Sequence, residues 1–137
     1  LHWRVRPHAL SHPPWRGHTS LDMLGRVTAK ALIWAGASLE RLRAFPDAAR
    51  REAGHQLHRI QLGLDPGDGK PMRSVGAGVV EIRIHEGGEY RVCYVAKFAE
   101  AVYVLHAFSK KTQQTRQADI EMGRCNLAEV IRHRRKR

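Results

Sequence analysis

The chain has 137 residues, enough for one domain with a modest core. It carries 24 lysines and arginines against 13 aspartates and glutamates, so its formal charge of +11 predicts an acidic or polyanionic partner. No stretch approaches the roughly 18 apolar residues of a transmembrane helix, and the N-terminus lacks the apolar segment of a signal peptide, which predicts a soluble, cytoplasmic protein.

The positive charge is concentrated towards the ends of the chain. Residues 1–22 carry +2 and residues 132–137 carry +5, which leaves +4 for residues 23–131. We therefore predict a disordered extension over residues 1–25, one domain over residues 26–131 and a basic tail over residues 132–137. Such a tail is commonly a solvated end or a nonspecific nucleic-acid contact, so it does not identify the function.

The first part of the domain predicts one strand, over residues 30–34, and two helices. Ser38 is expected to cap a short helix that ends near Leu42. Pro46 fits the first turn of the second helix, because its missing N–H is not needed there. Apolar residues at helical spacing mark the face of this helix that packs on the sheet: Ala49, Ala53, Leu57, Ile60 and Leu64.

The middle of the chain predicts a meander of three antiparallel strands, over residues 78–85, 90–97 and 102–108. The first turn fits a loop of two residues or of three, and a slip of one residue would exchange the faces of the sheet. The three-residue loop, residues 86–88, pairs Ile82 with Val92 and Arg83 with Arg91. We predict this register because it keeps one face continuously apolar.

The second hairpin predicts a four-residue loop that pairs Tyr94 with Leu105 and Cys93 with His106. Tyr94 and Tyr103 then fall on the apolar face, which helices are expected to cover. The opposite face gathers polar residues, with Lys110 just beyond the strand end: Glu81, Arg83, Arg91 and His106. On this face, Arg91 and His106 should contribute little to the core.

A last helix is predicted to begin near Thr115 as its N-cap, with Asp119 in the first turn. Its apolar stripe consists of Ile120, Leu127, Val130 and Ile131. The fold class is therefore α+β, a small antiparallel sheet packed on one side by the N-terminal helices and the C-terminal helix. The N-terminal strand should lie at or near an edge of this sheet.

Five segments, in this order, carry a resemblance to a known family: Leu42-Arg43-Ala44-Phe45-Pro46, Lys70-Pro71, and residues 78–84, 90–98 and 102–112. Over about residues 30–130 the chain resembles the phage-derived, HigB-like branch of the RelE/ParE toxin superfamily. The resemblance implies a RelE-like fold and the toxin of a type II toxin–antitoxin pair, a ribosome-associated mRNA endoribonuclease that inhibits translation. It also implies a helix-turn-helix antitoxin as partner, with operator DNA bound only through the antitoxin complex.

Two positions qualify the resemblance. Related sequences usually have proline after the threonine equivalent to Thr115, and this chain has Arg116. The resemblance does not reach residues 1–22, and Met23 stands just before the similar region, which suggests translation from that methionine.

RNA can be cleaved without a metal when its own 2′-hydroxyl attacks the adjacent phosphate, given a base, an acid and cations. His106 is the first candidate for proton transfer and Glu81 the second. Arg83 and Arg91 can bind the phosphate through paired hydrogen bonds, with Lys110 as a point charge. The remaining RNA-binding candidates are Lys70, Lys97 and Lys111.

Alternatives to this assignment remain open. His106 can be structural, Glu81 can serve only as an ion-pair partner of Arg83 or Arg91, and Lys111 can be solvated. The whole protein can instead be a ParE-like inhibitor of DNA gyrase, or a noncatalytic RNA- or antitoxin-binding protein. No metal and no cofactor are expected, because Cys93 and Cys125 lack metal-ligand spacing and read as reduced thiols.

Overall fold

The chain folds into six strands and three helices in the part that the computed structural model describes, residues 4–6, 24 and 28–136. The strands are β1 (Arg4–Arg6), β2 (Ala31–Trp34), β3 (Gly69–Pro71), β4 (Val79–His85), β5 (Glu89–Val95) and β6 (Ala101–Ser109). The helices are α1 (Ser38–Arg43), α2 (Asp47–Gln61) and α3 (Gln117–Arg135). The strands form one sheet in the order β1-β2-β6-β5-β4-β3, in which only β2 and β6 are parallel neighbours. The predicted α+β class is confirmed.

Helices cover both faces of the sheet. The first core lies between the sheet and helices α1 and α2, and it includes Leu42, Leu57, Ile82 and Val104. The second lies under α3 and includes Val95, Leu105 and Val130. The predicted one-sided packing is therefore wrong. Strand β6 has mostly apolar side chains on both of its faces, a pattern typical of a strand that is buried on both sides.

The register predicted for the first hairpin is confirmed. Strands β4 and β5 pair Ile82 with Val92 and Arg83 with Arg91, and three residues, 86–88, connect them. Gly87 has a φ of +71°, a conformation that glycine adopts without steric strain. The choice of the loop that kept one face apolar was therefore correct.

The register predicted for the second hairpin is correct at one end and wrong at the other. Cys93 pairs with His106 as expected, but Tyr94 pairs with Val104, because a β-bulge shifts the register by one residue. Leu105 is the extra residue, and its carbonyl oxygen accepts a 2.7 Å hydrogen bond from Nδ2 of Asn126 on α3. Strict alternation could not anticipate this shift, since the bonding partner lies on a distant helix.

The bulge separates two tyrosines that the sequence placed on one face. Both are buried, but Tyr94 belongs to the core under α1 and α2, whereas Tyr103 belongs to the core under α3. The Tyr103 hydroxyl donates to Oε2 of Glu100 at 2.7 Å. Both tyrosines are therefore core residues as expected, although only Tyr94 lies on the expected side.

Two predicted helix caps are wrong. Ser38 lies inside α1 and donates its hydroxyl to the carbonyl oxygen of Val104, while Ala37 takes the N-cap position. Arg116 takes the N-cap position of α3, because the Thr115 side chain is directed to strand β4 instead. In both cases a tertiary contact with the sheet replaces the local capping bond.

The predicted helical faces are largely correct. Pro46 is the N-cap of α2, one residue before the helix rather than in its first turn. The residues of α2 that were expected to pack are buried, namely Ala49, Ala53, Leu57 and Ile60, whereas Leu64 follows the end of the helix. On α3, Val130 is buried, but Ile131 is 37% exposed and does not belong to the packed stripe.

The ends of the chain are only partly described. Within the predicted extension, β1 pairs antiparallel with β2, so β2 is second from the edge of the sheet. The remaining residues of 1–25, apart from Leu24, lie outside the described residues, as does Met23. Helix α3 continues to Arg135 and so includes most of the predicted basic tail. Among the helices that the structure describes, none has the length and hydrophobicity needed to cross a bilayer.

Candidate functional site

Three buried side chains form a row across the middle of the sheet. Glu81 on β4 pairs with Cys93 on β5, and Cys93 pairs with His106 on β6. Their exposed fractions are 2%, 3% and 2%, respectively. Because side chains alternate between the faces of a strand, this row lies on the face that α3 covers.

The start of α3 contacts both ends of this row. Nε2 of His106 lies 2.9 Å from Oδ1 of Asp119, in the first turn of the helix. The hydroxyl of Thr115 donates to Oε2 of Glu81 at 3.3 Å. The expectation that Arg91 and His106 contribute little to the core is therefore wrong, because α3 packs on the polar face.

Burial controls the ionisation of this row. It lowers the pKa of His106, the carboxylate of Asp119 opposes that effect, and the charge of Arg41 adds slightly to the lowering. The imidazole is thus neutral at neutral pH, and Nε2–H donates to Asp119, since a carboxylate only accepts. Burial, helped by the charges of Glu81 and Asp119, raises the pKa of the Cys93 thiol, which stays protonated.

Arg91 lies between two carboxylates. Its side chain is only 6% exposed, and Nε is 3.6 Å from Oε1 of Glu81. Nη2 is 3.1 Å from Oε1 of Glu89, and Nη1 donates to the carbonyl oxygen of Tyr90. Nε finds no hydrogen-bond partner among the described residues. Of the two arginines considered as partners of Glu81, Arg91 is the one that contacts it.

Arg83 belongs to a separate, more exposed cluster. Its Nε and Nη2 contact Oδ1 of Asp68 at 2.9 and 2.7 Å. His85 bridges Asp68 and Glu89, at 3.0 and 2.7 Å. Hydrogen bonds to Glu89 first and to Asp68 second raise the pKa of His85. Although Arg83 and Arg91 are cross-strand neighbours, Arg83 is directed to Asp68 and not to Glu81.

Glu81 is one of the residues that line a cleft of about 390 Å³ beside the start of α3, and 3% of its side chain is exposed. Three cations line the cleft, Lys70, Arg73 and Lys110, and Lys70 is the cross-strand neighbour of Glu81. Gln113, Gln114 and Thr115 form the wall towards α3, and Met72 and Ile120 provide apolar surface. Glu81 is the one carboxylate among the described residues that line the cleft.

The cleft contains some of the predicted site residues and omits others. Glu81, Lys70 and Lys110 line it, whereas Arg83, Arg91 and His106 do not. Sequence reasoning missed Arg73, although it follows the Lys70-Pro71 motif closely, and missed the two glutamines, which lie in a polar segment without periodicity.

The two other predicted RNA-binding lysines lie elsewhere. Lys97 is exposed, donates to the carbonyl oxygen of Ala77 and lies 5.3 Å from the centre of the Phe98 ring. Lys111 is exposed and lines a different groove, next to α1. Neither lysine is among the described residues that line the Glu81 cleft.

The described residues contain no group of three or more histidines, cysteines, aspartates or glutamates placed to bind a metal ion.

A family model, described as phage-derived protein Gp49-like (DUF891), matches residues 40–127, which is more than half of the chain. The matched segment includes every residue of the Glu81 cleft. No curated protein matches the chain.

Proposed function

The chain belongs to the phage-derived Gp49-like family of toxin-like proteins, and on that premise we propose that it is a toxin that cleaves messenger RNA. The observation that supports cleavage is the position of Glu81, a carboxylate that faces a cleft lined by three cations. A proton acceptor surrounded by phosphate-binding groups is the arrangement that attack by a 2′-hydroxyl requires.

In the proposed reaction, Glu81 accepts the proton of the 2′-hydroxyl as the oxygen attacks the adjacent phosphorus. The 5′-oxygen leaves, and the upstream product ends in a 2′,3′-cyclic phosphate. Lys70, Arg73 and Lys110 line the cleft where the phosphate binds and stabilise the charge that develops on its oxygens. The lysine ammonium groups supply the acidic protons near the leaving oxygen.

The buried residues behind the cleft position these groups. Arg91 holds the Glu81 carboxylate from within the sheet, at 3.6 Å. His106 contacts Asp119 and so fixes the helix whose preceding segment forms one wall of the cleft. In this proposal His106 is a positioning residue, because Glu81 is among the residues that line the cleft and His106 is not.

Membership of a toxin-like family implies an antitoxin partner. We propose that this partner is a helix-turn-helix protein and that the substrate is mRNA on the ribosome, as the resemblance to HigB-like toxins suggested. The charge of +11 is consistent with binding to polyanionic RNA. It does not distinguish free mRNA from mRNA on the ribosome.

Three measurements test the function. Expression of the chain should arrest growth and deplete mRNA, and coexpression of the adjacent antitoxin gene should restore growth. Purified protein should cleave mRNA when ribosomes are present, a parallel reaction without ribosomes tests whether they are required, and DNA gyrase supercoiling should stay unchanged. Inhibition of supercoiling without RNA cleavage would instead identify a gyrase inhibitor. Binding of RNA without cleavage in either condition would identify a noncatalytic protein.

A further inference from the structure

A second concave surface lies between α1 and the ends of β5 and β6. This groove encloses about 340 Å³ and is lined by two cations, Arg41 and Lys111, and by three aromatic residues, Phe45, Tyr90 and Phe108. No carboxylate is among the described residues that line it. Phe45 and Phe108 are buried, so Tyr90 provides the accessible aromatic surface. The groove therefore combines positive charge with one accessible aromatic ring, the two features that bind single-stranded nucleic acid.

The groove and the Glu81 cleft are joined by two consecutive residues. Lys110 lines the cleft, and Lys111 lines the groove. The backbone N–H of Lys110 donates to the carbonyl oxygen of Glu89 at 2.7 Å, so the chain is fixed to β5 at this point. The cleft lies on the α3 side of the sheet and the groove on the α1 side, so a strand that leaves the cleft beside Lys110 reaches the groove by passing around the end of β6 at Lys111.

Two rings of the aromatic wall pack against each other. The rings of Phe45 and Tyr90 lie 4.9 Å apart at an angle of 47°, and Phe45 is buried against the core. Tyr90 is only half-buried, so part of its side chain remains accessible. A preorganised aromatic surface can bind a base without an ordering penalty of its own.

We propose that this groove is a second nucleotide subsite, occupied by a residue of the RNA strand that flanks the nucleotide bound at Glu81. A base contacts Tyr90, and Arg41 and Lys111 contact the backbone phosphates. The proposal rests on the proposed function for the identity of the strand. A groove volume of about 340 Å³ lies at the lower end of the range for small-molecule sites and suits one nucleotide.

Binding of oligoribonucleotides of two lengths tests the subsite. The measurement uses the Glu81→Gln protein, so that RNA is not consumed, with a labelled dinucleotide and a labelled hexanucleotide. Arg41→Ala and Lys111→Ala should each weaken hexanucleotide binding by about tenfold, and leave dinucleotide binding within about twofold. Arg43→Ala and Lys136→Ala are matched controls, since both remove an exposed cation outside the groove.

Tyr90→Leu provides an independent arm. This variant should weaken hexanucleotide binding. It should reduce the salt dependence of the binding affinity less than Lys111→Ala does, because only the lysine neutralises an RNA phosphate and so releases its counterions. Its melting temperature is measured beside the affinity, so that loss of fold is distinguished from loss of stacking.

Hexanucleotide affinities of Arg41→Ala and Lys111→Ala that equal those of the two controls would overturn the subsite. An acidic peptide that binds the groove where the hexanucleotide does not would overturn it as well. If the wild-type protein cleaves RNA and the groove variants bind the hexanucleotide normally, the subsite is excluded and the proposed function stands. If hexanucleotide binding depends on Lys111 but the wild-type protein never cleaves RNA, the subsite is supported and the proposed function is excluded.

Discussion

His106 and Asp119 form a buried hydrogen bond, 2.9 Å between Nε2 and Oδ1, that joins the bulged strand β6 to the first turn of α3. The bond fixes the helix over the polar face of the sheet. The segment that precedes this turn, from Gln113 to Thr115, forms one wall of the Glu81 cleft. The position of α3 therefore determines the shape of the candidate site.

Removal of this bond should destabilise the domain. Asp119→Ala leaves the buried imidazole of His106 without its acceptor, which costs about 1–3 kcal/mol. The melting temperature should fall by several degrees, as measured by circular dichroism. Glu121→Ala, on an exposed position of the same helix, is the control and should change it little. Equal melting temperatures for the two variants would show that the bond does not hold α3.

The register of the first hairpin can be tested by two neighbouring residues. Ile82 is fully buried under α2, so Ile82→Ala should cost about 2–5 kcal/mol. Arg83 is partly exposed and paired with Asp68, so Arg83→Ala should cost about 1 kcal/mol or less. Urea denaturation measures both values. A larger loss at Arg83 would mean that the two faces are exchanged.

The end of α3 should show a pH-dependent contribution to stability. The guanidinium of Arg134 and then the hydroxyl of Tyr103 lower the pKa of Glu100 from 4.5 to about 2. A lowered carboxyl pKa stabilises the fold fully above pH 4.5, and this contribution is lost as the pH falls towards 2. The difference in melting temperature between wild type and Glu100→Gln should follow this course.

Glu86→Gln is the control for that experiment, because Glu86 is exposed in the turn between β4 and β5. A difference between wild type and Glu100→Gln that stays constant from pH 7 to 3 would exclude the Arg134 ion pair as its source.

The spacing of apolar residues was enough to predict which faces of the helices and strands are buried where no distant contact intervenes. The apolar face of α2 and the pairing of Ile82 with Val92 followed from periodicity and burial. The bulge at Leu105 could not be predicted, because its stabilising partner, Asn126, is 21 residues away on α3. The cap residues failed for the same reason, as Thr115 bonds to the sheet and not to its own helix.

The sequence predicted which types of residue the candidate site contains, but only part of their arrangement in space. Alternation placed Glu81 and His106 on one face, which is correct. It could not show that α3 buries His106 while Glu81 still reaches a cleft. Arg73 was missed because it lies in a turn, where no periodicity relates a side chain to the sheet.

The role of Glu81 is tested most directly by RNA cleavage with the purified protein, in which the ends of the products identify the reaction and the rate of Glu81→Gln identifies the base. Wild-type protein should leave 2′,3′-cyclic phosphate and 5′-hydroxyl ends, also in the presence of a metal chelator. Glu81→Gln, which preserves shape and removes the proton acceptor, should lower the cleavage rate by about 10²-fold or more. Glu86→Gln should cleave at the wild-type rate. A folded Glu81→Gln protein that cleaves RNA as fast as the wild type would contradict the role of Glu81, and a wild type that never cleaves RNA would contradict the function.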